Sequence, residues 1–432
     1  MLDHPKLPAT LGWIGSAGGV GEYDYQALVN TDNRYYTLGN NQSSPNASDS
    51  NAPAPLPESI ANRDLTWETT RDAGFGLDMD LLSNKLSFTF DYYNRKVSDM
   101  LLEVQLPLSV GTVNALPMNI GSMTNWGLEF AVTYRDKIGD VGFSVSPNAS
   151  LYRNKVTDLG TYDFLAGGNT SNGYVTRTIS GQPVSQFWGY KTAGLFKTDE
   201  EAAGYVNSKG ERYQDAAKAG DLKYVDLNGD GVINDEDKTF LGSSIPDVSV
   251  GLNIQIDYKG FDLSMLFQGD LGYKIYNNYK STFMAGKAVH NQKDDMADRF
   301  RAKDITFTTP GGETITLPAN TNSSIPRVAW GDPNGNSTRP SDYFVENGSY
   351  IRCNRITLGY TVPKNFLEKY QLEHLRIYAG VKNPFTITSY SMFDPQVPGD
   401  GNTLTRGVDN AYYWNTSFWS SREFFAGLQL TF

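Results

Sequence analysis

Apolar and polar positions alternate with a period of two along much of this chain. In the last eleven residues, 422–432 (REFFAGLQLTF), Phe424, Ala426, Leu428, Leu430 and Phe432 share one face. Glu423, Phe425, Gly427, Gln429 and Thr431 share the other. Side chains of a β-strand point alternately to its two faces, so this segment reads as a strand with one apolar side. The same pattern returns at Phe75–Leu77–Met79–Leu81, Leu86–Phe88–Phe90–Tyr92 and Trp126–Leu128–Phe130–Val132–Tyr134. Further runs are Phe143–Val145–Ala149–Leu151, Val248 to Tyr258, Phe261 to Phe267, Ile356 to Val362 and Leu375 to Val381. With Leu11 to Ile14 and Phe187 to Leu195, the count comes to about eleven strands.

The connections divide into two kinds. Short turns at 83–85, 137–140 and 259–260 each join two long strands, whereas 15–64, 102–118, 159–182, 196–245, 276–347 and 387–419 read as long irregular segments. Short turns at one end and long loops at the other are the asymmetry of an outer-membrane barrel. A soluble sandwich rarely tolerates so many loops longer than about 15 residues. The expected fold is therefore all-β: an antiparallel transmembrane β-barrel with long extracellular loops and short periplasmic turns. Two short helices are predicted off the strands. One starts at Thr198, a capping residue followed by acids, and the other lies within 363–374, where Pro363 suits a first turn.

Composition agrees with a barrel. Only 39% of the 432 residues are hydrophobic, yet 13% are aromatic, with 26 Tyr and 22 Phe. That balance fits aromatic girdles around a wet interior. No run of about 18 apolar residues occurs, which excludes a transmembrane helix but not membrane-spanning strands. The net charge of −11 argues against nucleic acid as a partner. The single cysteine, Cys353, rules out an internal disulfide. The amino terminus shows no charged segment followed by an apolar run, so no signal peptide is visible.

Residues 226–237 read DLNGDGVINDED. Asp226, Asn228 and Asp230 place side-chain oxygens at positions 1, 3 and 5 of a calcium-type loop, and Gly231 at position 6 allows the sharp turn. The Val232 carbonyl supplies position 7, apolar Ile233 occupies position 8, and Asn234 and Asp237 provide positions 9 and 12. Asp237 stands where an EF-hand has Glu, a variant that resembles dockerin modules. A hard cation wants six to eight oxygens, which this spacing wraps about one point. The alternative is an ordinary Asx-rich turn with no metal, since Asp, Asn and Gly also dominate turns. The flanks lack paired amphipathic helices, so a structural calcium of extracellular affinity, about 0.1–1 mM, is expected rather than a sensor.

Other constellations are weaker. His4, His290 and His374 lie far apart, and no nucleophilic triad or phosphate-cradling loop is present, so no enzymatic activity is expected. Glu200 and Glu201 read as solvated residues of the short helix. Trp330, Tyr412, Tyr413 and Trp414 are candidate ligand-binding aromatics, able to stack on sugars beside Asn410 and Asn415. A membrane-interface girdle is the competing reading, and the better one for Trp419.

Several stretches resemble the SusC/RagA family of TonB-dependent outer-membrane transporters of Bacteroidetes. They are DLTWETT at 64–70, FDYYNRKVSDMLL at 90–102, NIGSMTNWGLEF at 119–130, GQPVSQFWGY at 181–190, and GDLKYVD at 220–226 leading into the calcium-type loop. The resemblance implies a 22-stranded barrel with an internal plug that imports oligosaccharides or peptides across the Gram-negative outer membrane. It also implies a SusD-like surface lipoprotein over the mouth, energy delivered by the TonB complex, and insertion by the barrel-assembly machinery, for which Phe432 resembles the terminal signal. On this reading residues 1–432 are the C-terminal part of such a barrel, with 196–245 an extracellular loop, and with signal peptide, N-terminal extension and plug absent. The competing reading is a secreted, soluble, calcium-stabilised carbohydrate-binding β protein. A continuous apolar band along the outward strand faces separates the two.

Overall fold

The computed structural model describes residues 11–16, 29–30, 35–37, 51–53, 56–57, 62–104, 116–283, 294–368, 372–397, 403–409 and 421–431. Ten long strands form one sheet whose spatial order follows the chain. They are β1 (Leu11–Ser16), β2 (Glu68–Leu81), β3 (Leu86–Ser98), β4 (Ser122–Ile138), β5 (Val141–Asp158), β6 (Val248–Tyr258), β7 (Phe261–Leu271), β8 (Tyr350–Thr361), β9 (His374–Thr388) and β10 (Glu423–Thr431). Every neighbouring pair is antiparallel.

Register aligns the apolar positions into rows that cross the sheet. Leu81 lies opposite Leu86, and the row continues through Tyr134, Val145, Ile254, Met265, Ile356 and Val381 to Phe424. A second row runs Phe75, Tyr92, Leu128, Leu151, Val248 and Leu271. Phe424 is 81% exposed and Leu428 65%. Apolar rows this long and this open have no place on a soluble protein, because such patches must be covered by lipid or another protein. The opposite face carries Asp91, Glu129, Ser150, Ser249 and Asp270 in one row. The continuous apolar band thus favours the membrane wall over the secreted soluble protein.

The short connections fall where the turn residues place them. Lys259 and Gly260 both have positive φ, as a two-residue hairpin turn requires. Gly139–Asp140 joins β4 to β5, and Leu82 to Lys85 joins β2 to β3. The connection from β8 to β9 holds a single helical turn, α1 (Lys364–Leu367), with Pro363 at its cap rather than inside its first turn.

The other end differs from expectation. The segments read as irregular fold into a layer with its own small sheets. Leu165–Thr170, Gly173–Thr178, Gln186–Tyr190 and Lys238–Ser243 form one sheet. Lys274–Asn277 pairs antiparallel with Val345–Asn347 and parallel with Val408–Asp409, which joins two of the long connections. The stretch 187–195 therefore belongs to this layer and not to the wall, which reduces the expected eleven wall strands to ten. Strands of two to six residues, in which neighbouring positions are buried together as in Gln186–Tyr190 and Lys274–Asn277, show no period-two signal. Most of the deeply buried aromatic side chains lie here. Phe187, Tyr276 and Phe344 pack with Val175 and Val408, while Tyr190, Tyr224 and Phe300 pack with Leu195, Leu222 and Ile233. Each such side chain withdrawn from water contributes about 1.5–3 kcal/mol, enough to order loops that would otherwise remain open.

Candidate metal loop in the long-loop layer

The calcium-type loop leaves the strand Leu222–Tyr224 and ends in a 3-10 turn, Asp235–Asp237. Its carboxylates organise the backbone. Asp226 Oδ1 accepts the N–H of Gly229 at 2.7 Å, and Oδ2 accepts that of Gly231 at 2.9 Å. Asp230 Oδ1 accepts the N–H of Val232 at 2.8 Å. Asp237, fully buried, closes the loop on itself: Oδ1 accepts from Leu227 at 2.7 Å and Oδ2 from Asn234 at 2.8 Å. The Asn234 side chain returns a bond from the N–H of Glu236, completing a capping box with Asp237.

Gly231 supplies the conformation expected of position 6, with φ of 89°, and its carbonyl accepts from Asn207 Nδ2 at 3.0 Å. Ile233 turns inward to the cluster around Tyr224, while Val232 is exposed. The apolar position therefore anchors the loop and leaves its oxygen-bearing rim near the surface. Burial opposes ionisation of Asp226, but the N–H groups of Gly231 and Gly229 and the Tyr213 hydroxyl outweigh it and hold the carboxyl below its usual range.

The donor set is hard and oxygen-rich, which is the chemistry calcium selects. Each carboxylate oxygen already bonded to an N–H keeps a second lone pair. Asp226, Asp230 and Asp237 nevertheless do not close on one point. The Nδ2 atoms of Asn228 and Asn234 approach Asp230 Oδ2 at 3.1 and 3.5 Å. Among the described residues, no three acidic, thiol or imidazole side chains gather as a metal cluster. The residues fit calcium by type and by loop conformation; closing the ring of ligands requires the two amides to turn their oxygens inward.

A buried polar cluster, scattered in sequence, fixes the stem of this loop. Asp221, fully buried, pairs with Arg327 through Nη2 at 2.8 Å and accepts from Asn336 Nδ2 at 2.8 Å. Asn336 Oδ1 in turn accepts from the N–H of Leu222, and Gln214 holds the stem strand at both ends, donating to the Leu222 carbonyl and accepting from the Tyr224 N–H. Sequence reasoning missed these groups, because only the fold brings positions 214, 221, 327 and 336 together.

The remaining predicted residues disperse. Trp330 is 83% exposed. Tyr412, Tyr413, Trp414 and Phe432 lie outside the described residues, as do Asn410, Asn415 and Trp419. Thr198 caps a short helix, Asp199–Gly204, as expected, and Glu201 accepts from the Lys197 N–H and pairs with Lys223. Those contacts give Glu201 a structural role.

An antiparallel meander with an apolar outer face, short turns at one end and folded loops at the other defines the wall of an outer-membrane β-barrel. Residues 12–234, just over half the chain, match the family described as TonB dependent receptor-like, beta-barrel. The chain belongs to this family, whose members are outer-membrane proteins of Gram-negative bacteria. It is 28% identical over its whole length to TonB-dependent receptor P3 of Formosa agariphila, of which it spans 40%. Over 80% of its length it is 30% identical to TonB-dependent receptor SusC of Bacteroides thetaiotaomicron, spanning 32% of that protein. Its fold matches the solved RagAB peptide transporter with a TM-score of 0.74 at 22% identity, covering all of this chain and 41% of that one. The chain thus spans about two fifths or less of the relatives it matches.

Proposed function

We propose that this chain forms part of the wall and the folded outer loops of a TonB-energised importer, and that it performs no catalysis. The observation that carries this reading is the two-faced wall, apolar outside and polar inside, in a chain of the TonB-dependent receptor family. Likeness to a protein named SusC and to the RagAB peptide transporter supports an oligosaccharide or peptide cargo and a SusD-like lipoprotein partner over the loop layer. The TonB complex supplies energy, and the barrel-assembly machinery inserts the strands. Calcium bound by Asp226, Asn228, Asp230, the Val232 carbonyl, Asn234 and Asp237 stiffens the loop layer that meets cargo and lid. Trp330 and the aromatics Tyr412, Tyr413 and Trp414 are proposed to touch cargo.

Deleting the gene tests this reading directly. Cells should lose uptake of one oligosaccharide or peptide source, regain it on complementation, and lose it again with a protonophore. Uptake of every such source unchanged by deletion, or indifferent to the protonophore, refutes an energised importer.

A further inference from the structure

Arg177, on the small strand Gly173–Thr178 of the loop layer, stacks against two aromatic rings. Its guanidinium carbon lies 3.8 Å from the centre of the Phe164 ring and 4.2 Å from that of Trp188. Trp188 is braced in turn by Phe240, with ring centres 5.0 Å apart and planes at 70°. Stacking engages the flat faces of a guanidinium and leaves its N–H groups, which point outward in its own plane, to find acceptors elsewhere.

Among the described residues, those N–H groups meet no acceptor. Every other partly or fully buried arginine side chain among them, Arg339 apart, donates to a protein oxygen. No nitrogen of Arg177 is a buried atom without a partner, so the unbonded edge of the fork opens to solvent. Burial opposes its charge, and the Asp235 carboxylate offsets only part of that cost. Asp235 is itself engaged, accepting from the Tyr190 hydroxyl at 3.0 Å and pairing with Lys238 at 2.8 Å. Arg339 lies over the Tyr190 ring at 5.7 Å, two residues along the strand from Trp188, and adds a second positive charge without a carboxylate. In a chain of net charge −11, a guanidinium clamped by rings and left without an acid is a prepared seat for an anion. A carboxylate is flat like the guanidinium and meets it edge to edge through two parallel N–H···O bonds.

We propose that Arg177, held by Phe164 and Trp188, binds a carboxylate group of the cargo, so that the loop layer selects acidic cargo over neutral. The proposal rests on the importer reading, and it names the chemistry that a uronic-acid oligosaccharide and an acidic peptide share.

Calorimetry on the whole protein extracted from its outer membrane tests it with matched probes: trigalacturonate against its methyl ester, and triglutamate against carboxy-amidated triglutamine. The wild-type protein should bind the charged member of at least one pair about tenfold more tightly than its neutral counterpart. The pair that shows this identifies the source of the carboxylate. Arg177→Gln should remove the preference and leave the neutral member bound as before. Arg177→Lys should keep only part of it, because an ammonium lacks the planar fork. No preference in either pair, or a preference that survives Arg177→Gln, overturns the proposal. Should Arg177→Gln fail to assemble, phenylglyoxal labelling of Arg177 in the wild type decides: the preferred probe should protect the side chain, and labelling unchanged by it overturns the site. Gene-dependent uptake that is blind to charge on the cargo leaves the importer standing and removes this site. Charge-selective binding that needs Arg177, without gene-dependent uptake, does the reverse.

Discussion

Arg327 grips Asp221 across 106 residues of chain, with Nη2 2.8 Å from Oδ2 and Nε 2.8 Å from Oδ1. Asp221 is fully buried and ties two long connections together at the stem of the calcium-type loop. Removing one partner of a buried ion pair leaves an uncompensated charge and costs about 3–5 kcal/mol. Arg327→Met should therefore loosen the loop layer while leaving the wall strands protected. Hydrogen exchange would show faster labelling in 214–237 and 325–337 and unchanged labelling in β4 and β5. Adding Asp221→Asn should restore part of the protection, because the orphaned charge is gone.

Calcium should order the loop that Asp226 and Asp237 already shape. Isothermal calorimetry on the whole protein is expected to show one site of about 0.1–1 mM affinity. Asp230→Ala should abolish uptake with little loss of stability, since Asp230 is on the exposed rim and accepts one local backbone bond. Asp237→Ala should abolish uptake and also destabilise the loop, by leaving the N–H groups of Leu227 and Asn234 without partners. The lowered pKa of Asp226 keeps it ionised and ready for a cation at neutral pH, and its contribution fades only as pH falls through that lowered value. No heat of binding at millimolar calcium refutes the site.

The wall was legible in the sequence because lipid on one side and water on the other impose period-two alternation on strands of six to eighteen residues. Turn chemistry at Lys259–Gly260 and the cap at Thr198 were equally legible, being local. The loop layer was not. Val175 and Phe187 lie in the β5–β6 connection and Tyr276 and Val408 in two others, and their strands are too short and too evenly buried to alternate. Asp226 to Asp237 could be read as a calcium-type loop because its ligand positions are consecutive. Asp221, Arg327 and Asn336 could not, because no spacing links them before the chain folds.

Tyr93 and Gly127 occupy facing positions on β3 and β4, and the ring lies over the glycine. A Cβ at Gly127 would meet the Tyr93 ring at 2.5 Å. Gly127→Val should push Tyr93 from this seat on the polar face and cost about 1–3 kcal/mol as overpacking does. Heat-modifiable mobility on electrophoresis should show a lower unfolding temperature. The paired change Gly127→Ala with Tyr93→Leu should recover part of it by removing the clash. A Gly127→Val protein that unfolds like the wild type would mean that the ring moves without cost.

Asp409 sits where three segments of the loop layer meet, buried, with the Tyr390 hydroxyl donating to Oδ2 at 2.6 Å. Burial raises its carboxyl to about 6, the Tyr390 bond opposes the rise, and the neighbouring carboxylates Asp394 and Glu346 add to it. Glu346 is itself paired with Lys280, and Asp394 with Arg352. The folded protein thus binds this proton more tightly than the unfolded chain does. Stability from the protonated form is fully present below the unfolded value near 3.8 and is lost as pH rises through about 6. From the two values, the loss by neutral pH is at most about 3 kcal/mol. Asp409→Asn keeps an acceptor for Tyr390 and never ionises, so it should raise the melting temperature at pH 7.5 and leave it nearly unchanged at pH 4. Melting curves of the two proteins across that range decide the matter: a difference that is the same at both pH values shows that the Asp409 charge does not set the stability of the layer.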